Sequence, residues 1–184
     1  MEAGVSPFGS AQDRAIELYY YIKGGKVDYG AYRSQKYGFE RYGKTYEGIY
    51  PDWQPGKKIH LVGHSFGGPT IQVLEDLLRN GDPEEIEYYK QHGGEISPLL
   101  QGGNNRMISS LTTIGGPHNG SFIADKVSES TFLRKMLFNS IVLASNKYSN
   151  VDWGFEHWGI KQRNDETYLQ YKKRIREKRV LLQS

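Results

Sequence analysis

The residues best suited to chemistry are Gly63-His64-Ser65-Phe66-Gly67, at the end of the apolar run Ile59-His60-Leu61-Val62. A serine between two glycines, entered from a β-prone run and left into a helix, reads as a sharp strand–turn–helix junction. Such a turn presents the Ser65 hydroxyl at the carboxyl end of a buried strand and at a helix N-terminus. There backbone N–H groups and the helix dipole favour developing negative charge. Gly63 and Gly67 are both expected where a side chain would collide with the neighbouring strand or helix. Phe66 supplies a backbone N–H to an oxyanion, and His64 points away from the reaction.

A serine hydroxyl is a poor nucleophile at neutral pH and needs a base, normally His, oriented by a carboxylate. After Ser65 the available bases are His92, His118 and His157, and the available acids are Asp125, Asp152 and Glu156. His118 is read as a loop anchor, and His60 as either a core residue of the strand or one that supports the site from behind. The chain has no cysteine, which excludes a disulfide framework, a thiol nucleophile and a Cys-based zinc site. The 24 basic and 21 acidic residues are interspersed, and the resulting charge of +3 makes no case for nucleic acid. No apolar run is long enough to cross a bilayer, and Met1-Glu2-Ala3-Gly4 carries no signal-peptide pattern.

The elements that must position Ser65 follow from spacing. Residues 11–23 form a helix buried through Ile16, Tyr19, Tyr20 and Ile22 and stopped at Gly24-Gly25. Residues 26–30 are a turn or a short extended piece. Residues 31–46 lack periodicity and read as loop, with a short helix near 31–37. Helix 70–80 carries Ile71, Leu74, Leu77 and Leu78 on one side and ends at Gly81. Asp82-Pro83-Glu84-Glu85 starts another helix that ends near His92. Residues 107–114 are a second β-prone run, and strand–helix–strand makes a parallel pair. Residues 130–145 are apolar nearly all round. A last amphipathic helix opens at Asn164-Asp165-Glu166 and uses Tyr168, Leu169, Tyr171 and Ile175 as its apolar side.

Five stretches together resemble the secreted bacterial triacylglycerol lipases of the staphylococcal and thermophilic-bacillus type, which are α/β-hydrolases with a nucleophile elbow. They are residues 26–31, 41–46 and 60–68, then Thr112-Thr113-Ile114-Gly115-Gly116-Pro117-His118-Asn119-Gly120, and finally His157-Trp158-Gly159. The resemblance covers residues 5–177 and is closest to the staphylococcal branch. It implies an α/β class chain: one partial α/β-hydrolase domain over residues 1–184, a parallel sheet flanked by helices, with the first strands and the C-terminal strands missing. It implies ester hydrolysis of triacylglycerols at an oil–water interface by an extracellular enzyme. Ser65 matches the nucleophile, Phe66 the oxyanion N–H donor, Gly63, His64 and Gly67 the elbow, and residues 121–148 a lid.

The same resemblance implies that the catalytic Asp and His lie beyond residue 184, as does a calcium site, and that the oxyanion loop precedes residue 1. On that reading the chain is an internal piece, inactive alone. Two alternatives stay open. One is a non-catalytic lipid-surface binder or the product of a disrupted gene. The other is a small hydrolase with triad Ser65, Asp152 and His157. The family's zinc site uses two acids and two histidines. Asp13 matches one acid and Glu156 stands near the other, but Arg33 and Phe39 occupy the histidine positions. Neither side chain ligates zinc, so neither metal nor cofactor is expected. Pro69 is expected to remove one N–H from the elbow helix at a cost in stability.

Overall fold

The computed structural model describes residues 2–6, 9–117, 142–143, 145–148 and 159–181. Most of the lid stretch, together with His118, Asp125, Asp152, Glu156 and His157, lies outside them. The chain divides into two compact units, residues 1–119 and 120–184.

The first unit contains α1 (Ala11–Lys23), β1 (Gly25–Asp28), α2 (Ala31–Tyr37), β2 (Tyr42–Tyr46), β3 (Ile59–His64), α3 (Gly67–Asn80), α4 (Pro83–His92), α5 (Pro98–Gln101) and β4 (Ile108–Ile114). A reciprocal capping box opens α1. The Ser10 side chain accepts from the Asp13 N–H, and the Asp13 carboxylate accepts from the Ser10 N–H. Ala15, Ile16, Leu18, Tyr19, Tyr20 and Ile22 then enter the core. Gly24 closes the helix at φ +89°, its N–H reaching the Tyr20 carbonyl at 2.7 Å.

Residues 42–46 are a strand, not loop. β2 pairs antiparallel with β1, Gly25 opposite Tyr46 and Asp28 opposite Tyr42. Gly43 hid the strand pattern in the sequence. A Cβ there would lie 2.8 Å from the Tyr29 ring, so the glycine is what lets that buried tyrosine pack beneath β2.

β3 and β4 pair in parallel, from Ile59 opposite Ile108 to His64 opposite Ile114. The connection carries α3, which packs on both strands with Ile71, Leu74, Leu77 and Leu78 buried. α1 packs against α3 in turn. β3 is not the buried strand that its composition suggests. Ile59 and Leu61 are half-buried under α3, whereas His60 and Val62 alternate onto an uncovered face, Val62 at 66% exposure. Ile114 shares that exposure on β4.

Asp82 caps α4 as expected, accepting from the Glu84 and Glu85 N–H groups, with Pro83 at the first helical position. Trp53, in the turn before β3, is fully buried beside Tyr19, and its indole N–H donates to the Met107 carbonyl at 3.0 Å.

In the second unit, α6 (Tyr168–Leu181) starts later than Asn164 because Thr167 and Gln170 form its cap. The Thr167 N–H donates to Gln170 Oε1 at 2.8 Å. Tyr171 and Ile175 bury against Val142, while Tyr168 and Leu169 face outward.

Candidate active site

Ser65 sits at φ +51°, a left-handed conformation that costs a residue with a Cβ about 1–3 kcal/mol. Two backbone hydrogen bonds hold it there. The Ser65 N–H donates to Ile114 O at 2.9 Å, tying the turn to the end of β4, and the Gly68 N–H donates to Ser65 O at 3.0 Å. The Ser65 side chain is left exposed, between the last residue of β3 and the first turn of α3.

The two flanking glycines are not equivalent. A Cβ on Gly63 would meet the Gly67 carbonyl oxygen at 2.4 Å and the Gly68 nitrogen at 2.7 Å, so strand and helix can approach only over a glycine. A Cβ on Gly67 would meet nothing within 4 Å. The expected collision at Gly67 is therefore absent, because that residue already lies on the outer side of the helix start.

Phe66 is the N-cap residue of α3 and gives it no capping side chain, so the positive end of the helix is left open beside Ser65. Pro69 occupies the third helical position. N–H groups there have no partner within the helix, and the Ser65 carbonyl already accepts from Gly68. The stability cost expected for Pro69 therefore disappears.

Two residues that no sequence pattern singles out fix the Phe66 peptide. The Thr70 hydroxyl donates to Phe66 O at 2.8 Å. Arg14, on α1, donates from Nε to Thr70 Oγ1 at 3.2 Å and from Nη1 to Ser6 O at 3.1 Å, with its guanidinium 5.2 Å from the Phe66 ring centroid. Partial burial lowers the Arg14 pKa, the nearby Glu17 opposing the shift. The only local hint was a cation within the buried stretch of α1.

The histidines are placed less favourably. His64 is exposed. His60 is not a core residue: it lies on the open face, with Nδ1 2.7 Å from Ser110 Oγ on β4. His92 stacks on Tyr88 at the end of α4, its Nδ1 3.0 Å from the Tyr88 carbonyl. Among the described residues, no His, Asp or Glu side chain is hydrogen-bonded to the Ser65 hydroxyl.

At the positions for which the resemblance implies a metal, Asp13, Arg33 and Phe39 do come together. Arg33 Nη1 lies 3.0 Å from Asp13 Oδ1, and its guanidinium carbon is 5.9 Å from the Phe39 ring centroid. Both Asp13 oxygens are engaged, Oδ1 by Arg33 and Oδ2 by the Ser10 N–H and hydroxyl. A guanidinium and a phenyl ring offer no lone pair to a cation, so these residues do not fit a metal.

The whole chain, residues 1–184, matches the family described as lipase-like, C-terminal domain. The chain belongs to that lipase-like family. It is 59% identical over 179 residues to a lipase of Staphylococcus epidermidis, covering 97% of this chain and 26% of the relative. Lipase 1 of Staphylococcus aureus is 59% identical over 176 residues, covering 96% of this chain and 26% of the relative. The fold is similar to the crystal structure of Staphylococcus hyicus lipase, at a TM-score of 0.89 and 49% identity, covering 98% of this chain and 46% of that one. The lipase-like chain thus spans about a quarter of the length of the curated relatives it matches.

Proposed function

We propose that this chain contributes the nucleophile half of a lipase-type active site on an α/β-hydrolase fold. One observation carries the reading: Ser65 is held at φ +51° between a parallel strand and an uncapped helix, with its hydroxyl exposed. That combination supports reading the turn as a nucleophile elbow. The relatives named lipases supply the substrate class, an ester of a lipid such as triacylglycerol.

In this mechanism Ser65 Oγ attacks the ester carbonyl carbon while a base takes its proton. Charge develops on the carbonyl oxygen, where the Phe66 N–H and the positive end of α3 stabilise it. The alcohol leaves with that proton, and water then attacks the acyl-serine to release the fatty acid and restore the hydroxyl. The base and its carboxylate come from outside the 184 residues. Residues 121–148 act as the lid at a lipid–water interface, and the enzyme works outside the cell. Among the described residues, no helix is long and apolar enough to cross a membrane.

A segment exchange tests the reading. The chain replaces its matching stretch in the Staphylococcus epidermidis lipase, and the chimera is treated with a long-chain alkyl phosphonate ester. Mass spectrometry is expected to find the phosphonyl adduct on the peptide containing Ser65, and Ser65→Ala to abolish it. An adduct that survives Ser65→Ala contradicts the assignment, and a folded chimera that takes no label favours the non-catalytic alternative.

A further inference from the structure

The Arg33–Asp13 pair is unusual for its burial. Asp13 is fully buried and Arg33 is 7% exposed, yet each is a full charge when ionised. A buried charge is costly unless its partners are well placed. Here Asp13 holds the start of α1 through its bonds to Ser10, and Arg33 sits in the middle of α2. The single contact at 3.0 Å therefore fastens α2 to the first turn of α1. Glu85 holds the same segment from α4, accepting from the Tyr32 and Arg33 N–H groups at 3.1 and 2.7 Å. Phe39, beyond the end of α2, closes over the guanidinium.

We propose that the Arg33 guanidinium is a built-in replacement for a structural divalent cation. It neutralises Asp13 and clasps α1 to α2 from the place where the resemblance puts a metal, so the clasp needs no metal. A guanidinium carries one positive charge rather than two, and among the described residues Asp13 is the carboxylate it touches directly. Phe39 fits the same design. A histidine there would present a polar edge to a cation that cannot accept a ligand, whereas a phenyl face is attractive to a guanidinium. Arg33 and Phe39 thus act as a pair, each making sense of the other.

The test uses the purified protein and reads its melting temperature and bound zinc by elemental analysis. The protein is expected to carry no stoichiometric zinc after dialysis against zinc and to melt at the same temperature in EDTA. Arg33→Met leaves Asp13 buried and unpaired and is expected to lower Tm by about 10 °C. Adding Asp13→Asn to Arg33→Met removes the orphaned charge while keeping an acceptor for Ser10, and is expected to recover part of that loss. If Arg33→Met does not fold, recovery of a folded protein by the double variant supports the clasp equally well. Combining Arg33→His with Phe39→His is expected to make Tm rise with zinc and fall with EDTA. Three results would each overturn the proposal: stoichiometric zinc in the unaltered protein whose removal lowers Tm, an unchanged Tm in Arg33→Met, or indifference of the two-histidine variant to zinc.

Discussion

The asymmetry of the two elbow glycines gives the sharpest prediction. In Gly63→Ala the new methyl would lie 2.4 Å from the Gly67 oxygen, about 1 Å inside ordinary van der Waals contact. The obstructing atoms are backbone, at Gly67 and Gly68, so no rotamer change relieves the clash. Either β3 moves away from α3 or the first turn of α3 shifts. Overpacking of this kind costs about 3 kcal/mol. For a chain of 184 residues that lowers Tm by roughly 6–12 °C. In Gly67→Ala the methyl enters open space at a helical position, where alanine is preferred and the unfolded chain loses freedom. That change stabilises by about 0.5 kcal/mol, a Tm rise of one or two degrees at most. Thermal unfolding followed by circular dichroism separates the two. Equal losses in both variants, or an unchanged Tm in Gly63→Ala, would refute the steric account of the elbow.

Three further predictions concern the scaffold. Burial is the main cause that raises the Glu17 carboxyl above its ordinary value of 4.5, against the bonds it accepts from Tyr29 and Ser6. The folded state therefore keeps a proton that the unfolded chain has released, and stability falls as pH rises from about 4.5 through the raised value. Glu17→Gln should flatten the urea-unfolding free energy over that window, but only in part, because burial raises Glu85 in the same direction. Asp82 accepts from the Glu84 N–H at 2.9 Å and the Glu85 N–H at 3.2 Å, and from Gln12 Nε2 at 2.6 Å. Asp82→Ala should cost about 1–2 kcal/mol in denaturant unfolding, and Asp82→Asn much less. Arg41 grips Asp28 through two bonds of 2.9 and 2.8 Å and reaches Glu95 O at 2.7 Å. Arg41→Lys keeps the charge but loses the fork, and should cost about 1 kcal/mol by the same measurement.

Much of this was legible in the sequence because it is local. The Gly24-Gly25 stop of α1, the Asp82-Pro83 start of α4 and the 3.6-residue spacing of α3 each depend on a few neighbouring residues. The elbow is local too, since the close approach that Gly63 permits is to Gly67 and Gly68, a few residues on. What escaped depends on partners far along the chain. β2 was hidden by Gly43, which is explained by the Tyr29 ring packed against it. Trp53 is buried where Met107, the residue before β4, offers its indole a carbonyl 54 residues away. Arg14 and Thr70 support Phe66 across a separation of 56 residues. Composition alone also overstated the burial of β3, since only the face under α3 is covered among the described residues.

The central claim is that Ser65 is the nucleophile of ester hydrolysis, and the most direct measurement is kcat/KM on a short-chain p-nitrophenyl ester. The chain is assayed within the Staphylococcus epidermidis lipase, in place of its matching stretch, with Ser65 intact and as Ser65→Ala. The account predicts turnover in the first and a loss of at least about a thousandfold in the second. Equal turnover in both would contradict it.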